Sequence, residues 1–192
     1  FWTMKRIHLF EFEDQEWIPS FLRDYITDFL SHLSNQLDIF KPIVPILVKA
    51  LKSSSENSIV DLGSGAGGGW FRLSMHLQKD YPDIKILLSD YFPNFAAMSR
   101  IAQGASNVKF IEESIDARRV PKEIKGLRTL FLSFHHFKPN DATQILQSAV
   151  EDNQPICVFE GQERSLPSIL GMVFSPITLL LSTPFIRPFE LK

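Results

Sequence analysis

The residues with the clearest capacity for chemistry lie in one short stretch, 59-IVDLGSGAGGGW-70, in which Asp61 precedes five glycines. Glycine reaches positive φ without strain and lets another group approach the backbone closely. An apolar run followed by such a loop is typical of a strand that turns into a helix around a bound ligand. A glycine-rich turn without a ligand is the alternative.

Two ligand-binding motifs fit this loop. Gly63, Gly65 and Gly68 satisfy G-x-G-x-x-G, the fingerprint of dinucleotide-binding folds. Asp61, Gly63, Gly65 and Gly67 satisfy D-x-G-x-G-x-G, and the stretch thereby resembles the first motif of class I S-adenosylmethionine-dependent methyltransferases. The glycines alone do not separate the two motifs.

The charge of Asp61 favours the methyltransferase motif. A dinucleotide would place an anionic pyrophosphate on the loop, and a carboxylate about 5 Å away would oppose it by roughly 3 kcal/mol at an effective dielectric constant near 20. S-adenosylmethionine has no phosphate, and its sulfonium and α-ammonium groups are positive. An acid at the end of the strand is therefore favourable for this cofactor.

The resemblance covers roughly residues 58–160 and implies a set of cofactor contacts along the successive strand ends. Asp90, at the end of the predicted second strand, would accept hydrogen bonds from the ribose hydroxyls, with Tyr91 or Phe92 beside the adenine. A helix N-cap is the alternative role of Asp90, because 90-DYFPN-94 precedes a helix.

The third strand leads into 107-NVKFIEESIDARRVP-121, which resembles the adenine-binding segment of the family. Asp116 would accept from the adenine amine beside Ile115, and an Asx-turn cap is the alternative for Asp116. The predicted cofactor contacts implied by the resemblance are Asp61, Gly63, Ser64, Gly65, Gly67, Asp90, Tyr91, Ile115, Asp116 and Ser133.

Candidate catalytic residues follow the fourth strand, where His135 and His136 stand in 134-FHHFKP-139. This part resembles the small-molecule branch of the family, in which a His-His pair can follow this strand, and lacks the Asn/Asp-Pro-Pro-aromatic tetrad of amino-methylases. Either histidine could be a general base for a hydroxyl or amine. Alternatively, one histidine packs against the cofactor and the other binds the backbone.

The fifth strand ends in 160-EGQER-164. Glu160 is predicted to face the substrate, and Arg164 to pair with Glu160 or to hold an anionic group. An ordinary surface ion pair is the alternative. The remaining histidines show no metal-ligand spacing, and no metal site is predicted.

Hydrophobic periodicity places these residues on an α/β fold. Apolar residues recur every four positions from Trp17 to Leu37, which indicates an amphipathic helix, and 43-IVPILVKAL-51 indicates a second helix. Alternating segments then predict strands and helices of a doubly wound, mostly parallel, Rossmann-like sheet. The predicted strands are 58–62, 84–89, 107–112, 128–133 and 155–160. The predicted helices between them are 68–79, 94–103, 117–125 and 140–151.

We therefore predict one structural domain with two parts, a helical segment 1–57 that covers the site and a methyltransferase core 58–192. The resembled family adds a helix and two further strands after the fifth. Only 32 residues follow Glu160 in this 192-residue sequence. These strands are expected to be missing, and the open sheet edge would then favour association of the chain.

The amino-acid composition indicates which partners the protein is expected to bind and in which cellular compartment it is expected to lie. Lys and Arg number 20 against 22 Asp and Glu, so no basic patch for nucleic acid is expected. A single cysteine, Cys157, excludes an internal disulfide, and acids interrupt the N-terminus too early for a signal peptide, which predicts a cytoplasmic protein.

One apolar segment, Ser165 to Ile186, contains no charged residue. Its three prolines argue against a bilayer span. We expect a short buried helix followed by an apolar segment that lines a pocket or a lid, and contact with a membrane is the lesser alternative.

The predicted function is S-adenosylmethionine-dependent methyl transfer to a small, apolar or aromatic molecule, a substrate class suggested by 17 phenylalanines and the apolar segment. Two alternatives remain at this point. One is a non-catalytic domain that binds the cofactor or a partner protein, and the other is a NAD-dependent oxidoreductase.

Overall fold

The computed structural model describes residues 15–161, 165–182 and 184. In chain order the elements are α1 (Ser20–Gln36), a 3-10 turn (Lys41–Ile43), α2 (Val44–Ser54), β1 (Ser58–Leu62), α3 (Trp70–Asp80), β2 (Lys85–Ser89), α4 (Phe95–Gly104), β3 (Val108–Phe110), β4 (Leu127–Phe131), a 3-10 turn (Phe134–His136), α5 (Pro139–Glu151), β5 (Ile156–Phe159) and α6 (Leu166–Ser182).

The five strands form one parallel sheet in the order β3-β2-β1-β4-β5. Asp61 on β1 is in register with Leu88 on β2 and with Thr129 on β4. The chain moves outward from β1 in one direction and then restarts on its other side with β4. Ligands in open parallel sheets bind at this reversal, outside the carboxyl ends of the strands. The predicted α/β fold class is confirmed.

Both faces of the sheet are covered, so β1 is apolar on both sides. Ile59 packs in a cluster with α2, α3 and α4, which includes Leu47 and Met98. Val60 and Leu62 pack on the opposite face with Ile145 of α5. This double burial explains the continuous apolar run that precedes Asp61.

The five predicted strands are confirmed, with ends that shift by one or two residues at most positions, and three of the four predicted intervening helices are present. The predicted helix at 117–125 is wrong. Ala117 and Val120 are buried in the second core cluster as part of a non-helical connection to β4. Pro121 disfavours helical geometry at the residue before it, which explains the difference.

The prediction of a short buried helix after residue 165 is also wrong. Helix α6 is 17 residues long and begins with Pro167 in its first turn, where a missing N–H is tolerated. Seven of its large apolar side chains are exposed, at a helical spacing that places them on one face: Leu166, Leu170, Val173, Phe174, Ile177, Leu180 and Leu181.

No helix within the described part of the chain combines the length and apolar character that a membrane crossing requires. Among the described residues, no strand follows β5.

Gly126 immediately precedes β4 and has a backbone conformation that favours glycine. A substitution at Gly126 therefore tests the backbone geometry at the start of β4. Gly126 has a φ of 144°, and a Cβ there would lie 2.8 Å from the backbone oxygen of Ser58. We expect Gly126→Ala to lower the free energy of unfolding by about 1–3 kcal/mol, because the backbone must shift. Urea denaturation measures this change.

Gly171→Ala is the matched control, since nothing lies within 4 Å of a Cβ at that helical position. We expect the control to be neutral or slightly stabilising, as alanine is favoured over glycine inside a helix. Equal losses in both variants would contradict the proposed role of Gly126.

Candidate functional site

The glycine loop connects β1 to α3 at the reversal point of the sheet. Gly63, Gly65, Gly67 and Gly68 have φ values of 72°, 53°, 81° and 45°. Side chains other than glycine rarely adopt this region, so the sequence pattern follows from the loop conformation. The loop is a tight turn at the edge where the sequence predicts a ligand.

Three backbone N–H groups of the loop are hydrogen-bonded within the protein. The Ser64 N–H donates to the Ser89 carbonyl at 2.9 Å, and the Gly67 N–H donates to the Ser64 carbonyl at 2.7 Å. The Gly65 N–H donates to Asp90 Oδ2 at 2.6 Å. The loop is thereby held against the ends of β1 and β2.

Asp90 holds two backbone segments together. Its other oxygen, Oδ1, accepts from the Phe92 N–H at 2.7 Å. The N-cap of α4 is Asn94, whose side chain accepts from the Ala97 N–H at 3.1 Å. Asp90 is therefore not the cap of that helix, and it lines the same cavity as the glycine loop.

Asp61 lies beneath the loop and is 2% exposed. Ser64 Oγ donates to its Oδ2 at 2.7 Å, and Thr129 Oγ1 donates to its Oδ1 at 2.7 Å. Burial raises the pKa of Asp61 to about 6 from an ordinary 3.8, although these two hydroxyl groups lower it in part and the nearby Asp90 raises it. The carboxyl is a buried group that a cationic partner would stabilise in its ionised form.

A cavity of about 390 Å³ opens above these two acids, between the strand ends and α1. Nine residues of the sequence prediction line it: Asp61, Gly63, Ser64, Gly65, Asp90, Tyr91, Ile115, Ser133 and His136. The structure therefore brings together residues from four successive strand ends.

Helix α1 covers the loop and is attached to it by polar side chains. Ser31 Oγ and Asn35 Nδ2 donate to the Gly68 carbonyl at 2.8 and 2.7 Å. The methyl group of Thr27 would lie 3.0 Å from a Cβ at Gly65. Residues of α1 that line the cavity, including Arg23 and Thr27, were not identified from the sequence, because nothing in a helical repeat indicates which polar residues face a ligand.

One end of the cavity is lined by Tyr91 and Phe92, whose rings meet edge to face at 4.8 Å. The guanidinium of Arg23 lies over the Phe92 ring at 3.9 Å from its centroid. This cation–π contact joins α1 to the connection after β2.

The other end of the cavity has an aromatic wall that the sequence analysis missed. Phe131 meets Phe40 at 4.9 Å and Trp70 at 5.4 Å between ring centroids, both edge to face, and stacks on Phe159 at 5.0 Å. Phe40, Trp70 and Phe131 line the cavity together with Phe137. The only sequence signal was the position of Trp70 directly after the glycines.

The two predicted catalytic histidines lie in different surroundings. His136 lines the cavity. Nδ1 of His135 lies within hydrogen-bond distance of Glu160 Oε2, at 2.8 Å. Glu160 Oε1 also accepts from the backbone N–H groups of Phe134 and His135 at 2.9 and 3.2 Å. Glu160 therefore holds the turn that carries both histidines, and Arg164 lies outside the described residues.

The carboxylate of Asp116 is hydrogen-bonded by Arg118, and Asp116 is not among the residues that line the cavity. Arg118 donates to it through Nε at 2.9 Å and through Nη2 at 2.8 Å, and also reaches Asp141 at 3.3 Å. The residues of this segment that line the cavity are Ile115, Ala117 and Arg118. The predicted contact of Asp116 with an adenine amine stays a prediction.

Within the described ranges, no three His, Cys, Asp or Glu side chains come together in a way that could hold a metal ion. The chemistry available at the cavity is that of three carboxylates, two guanidinium groups, several hydroxyl groups, a histidine and an aromatic wall.

The solved structures that are similar to this fold include two methyltransferases. Human N-acetylserotonin methyltransferase in complex with SAM has a TM-score of 0.51 and 18% sequence identity, over 88% of this chain and 56% of that chain. An O-methyltransferase family protein from Burkholderia thailandensis has a TM-score of 0.51 and 19% identity, over 82% of this chain and 47% of that chain. The chain spans about half the length of these two proteins.

At this level of identity the likeness establishes the fold, which is the Rossmann-like fold of class I methyltransferases. No protein-family model matches the sequence, and no curated protein matches it significantly.

The raised pKa of Asp61 predicts how stability depends on pH. Because the folded-state pKa of about 6 exceeds the ordinary 3.8, the stabilising contribution of this group is complete at low pH and is lost as pH rises through 6. Asp61→Asn cannot ionise. We expect it to be more stable than the parent chain at pH 8 by about 1–3 kcal/mol, with the difference vanishing near pH 4.

Urea denaturation at a series of pH values measures this difference. A gap that stays constant across the series would show that the ionisation of Asp61 has no energetic cost in the folded chain.

Proposed function

We propose that this chain binds S-adenosylmethionine and transfers its methyl group to a small apolar or aromatic molecule. The observation that carries the proposal is the buried carboxylate of Asp61 beneath a glycine loop that opens into the cavity. An ionised acid in this position is costly without a positive partner. The sulfonium and ammonium groups of the cofactor are such partners.

The residues of the cavity fit this cofactor. A Cβ at Gly63 would come within 3.2 Å of Ser133 Oγ, so the absence of a side chain at Gly63 lets Ser133 pack against the loop. One polar atom at the cavity, Ser133 Oγ, is buried without a hydrogen-bond partner among the described residues. A ligand that donates or accepts a hydrogen bond there would satisfy it.

The loop suits a pyrophosphate poorly, which argues against a dinucleotide. Anion-binding loops present free backbone N–H groups to the phosphates. Here the N–H groups of Ser64, Gly65 and Gly67 are bonded within the protein. The carboxylates of Asp61 and Asp90 would also repel an anion at this place.

The adenosine part of the cofactor is assigned to the end of the cavity near β2 and β3. Asp90 has the chemistry to accept from ribose hydroxyl groups. Tyr91, Phe92, Ile115 and Ala117 offer apolar surface to an adenine ring. The sequence predicts Asp116 as a contact of the adenine. In the structure Arg118, and not Asp116, lines the cavity.

The methyl acceptor is assigned to the aromatic wall. When bound, the cofactor supplies a methyl group activated by positively charged sulfur. Phe40, Phe131 and Phe137 would hold an apolar or aromatic acceptor by burial and edge-to-face contact. His136 would accept the proton of the acceptor's hydroxyl or amine group, and Glu160 would position the turn through its bonds to His135 and to the backbone.

Binding of the cofactor is tested by calorimetry with S-adenosylhomocysteine and NAD in parallel. We expect S-adenosylhomocysteine to bind and NAD to bind more weakly or not at all. Gly65→Val should abolish binding, because a side chain there meets Thr27 and requires a φ of 53°. Gly171→Val, in open space on α6, is the matched control. Equal or tighter binding of NAD would refute the cofactor assignment.

The choice between the two histidines is tested by methyl transfer from labelled S-adenosylmethionine to a panel of small phenols and aromatic amines. His136→Ala should lower the rate by roughly 10²–10⁴-fold, the usual effect of losing a general base. Its affinity for S-adenosylhomocysteine should stay unchanged. His135→Ala should have the smaller effect, and the reverse order would assign the base to His135.

A further inference from the structure

Helix α6 carries an apolar face that the described part of the chain leaves open to solvent. None of the seven large apolar side chains on this face belongs to either core cluster, and each is between 46% and 73% exposed. Together they present roughly 600 Å² of apolar surface. Monomeric proteins rarely expose a contiguous apolar patch larger than a few hundred Å², and a patch of this size marks an interaction surface.

The spacing of these side chains is that of a seam between paired helices. Five of them follow one another at intervals of four, three, four and three residues: Leu166, Leu170, Val173, Ile177 and Leu180. Apolar residues that repeat about every 3.5 positions are the a and d positions of a coiled coil, which insert between the side chains of a facing helix. Phe174 and Leu181 lie four residues after Leu170 and Ile177 and widen the seam on one side. The face is therefore shaped to receive another helix.

The sequence of α6 contains no charged residue, which narrows the choice of partner. Charged residues that flank a seam select one partner helix and exclude others, and α6 has Phe174 and Leu181 at flanking positions instead. Helices that lie on a membrane surface combine an apolar face with Lys and Arg on the polar face, which α6 lacks. A second copy of α6 offers a matching seam of the same length, and no like charges oppose the pairing.

We propose that the apolar face of α6 is a dimerisation surface that packs against α6 of a second copy of this chain. Pairing the two faces buries about 1,200 Å² in total, which reaches the range of about 1,200–2,000 Å² for specific protein–protein interfaces. The dimer is a closed two-fold pair, because the same surface serves both copies. Val173 is the middle position of the seam, so a parallel or an antiparallel pair brings it close to the same residue of the second copy. The inference is independent of the cofactor assignment.

Sedimentation equilibrium of the 192-residue chain over a range of concentrations tests this proposal, and we expect a monomer–dimer equilibrium. Val173→Glu places two carboxylates opposite each other in an apolar seam and should raise the dissociation constant of the dimer about hundredfold or more. Val173→Lys should have the same effect for the same reason. An equimolar mixture of the two variants should restore the dimer, since opposite charges then meet, and this recovery shows that both variants are folded.

Val150→Glu is the matched control, because Val150 is also a valine on an exposed helical surface, 77% exposed on α5 against 64% for Val173. This control should leave the dissociation constant unchanged.

A chain that stays monomeric at every concentration would overturn the proposal. A dimer that persists in Val173→Glu would overturn it too, and would assign association to another surface, such as the edge of the sheet at β5. A monomeric chain that cosediments with phosphatidylcholine vesicles, and loses this binding in Val173→Glu, would identify the face as a membrane-binding surface and would equally refute the dimer.

Discussion

The hydrogen bonds of one buried residue, Asp61, hold together the reversal point of the sheet. Asp61 is bonded by Ser64 from the glycine loop and by Thr129 from the neighbouring strand β4. Ser89 at the end of β2 donates through its hydroxyl to the Asp61 backbone carbonyl at 2.7 Å. A single residue thus joins three strands and the loop. Burial raises the pKa of Asp61, so the ionised form of this carboxyl carries an energetic cost in the folded chain.

The N-terminal helix completes the cavity without being part of the apolar core. Only Phe29 and Ser34 of α1 are buried, and the contacts of α1 with the loop are mostly hydrogen bonds. Arg100 adds an ion pair with Asp28 at 3.1 Å. Polar contacts of this kind contribute modestly to stability but fix orientation. The cavity therefore depends on directional contacts more than on hydrophobic burial.

Residues that are adjacent in sequence have different surroundings at the site. His135 and His136 are adjacent, yet one is paired with Glu160 and the other lines the cavity. The same holds for Asp116, which is bound by Arg118, and Ile115, which lines the cavity. The sequence predicts the strand end at which each pair lies. The conformation of the turn decides which residue of the pair lines the cavity.

The sequence by itself determined the alternation of strands and helices, the loop after β1 and the placement of Asp61 and Asp90. These features follow from local rules, since periodicity, glycine conformation and the position of an acid at a strand end act within a few residues. Only the tertiary structure decided that Trp70 and Phe131 form a wall, that 117–125 is not helical and that the apolar face of α6 is exposed among the described residues. These outcomes depend on contacts between residues that are far apart in sequence, and a local sequence pattern does not indicate such contacts.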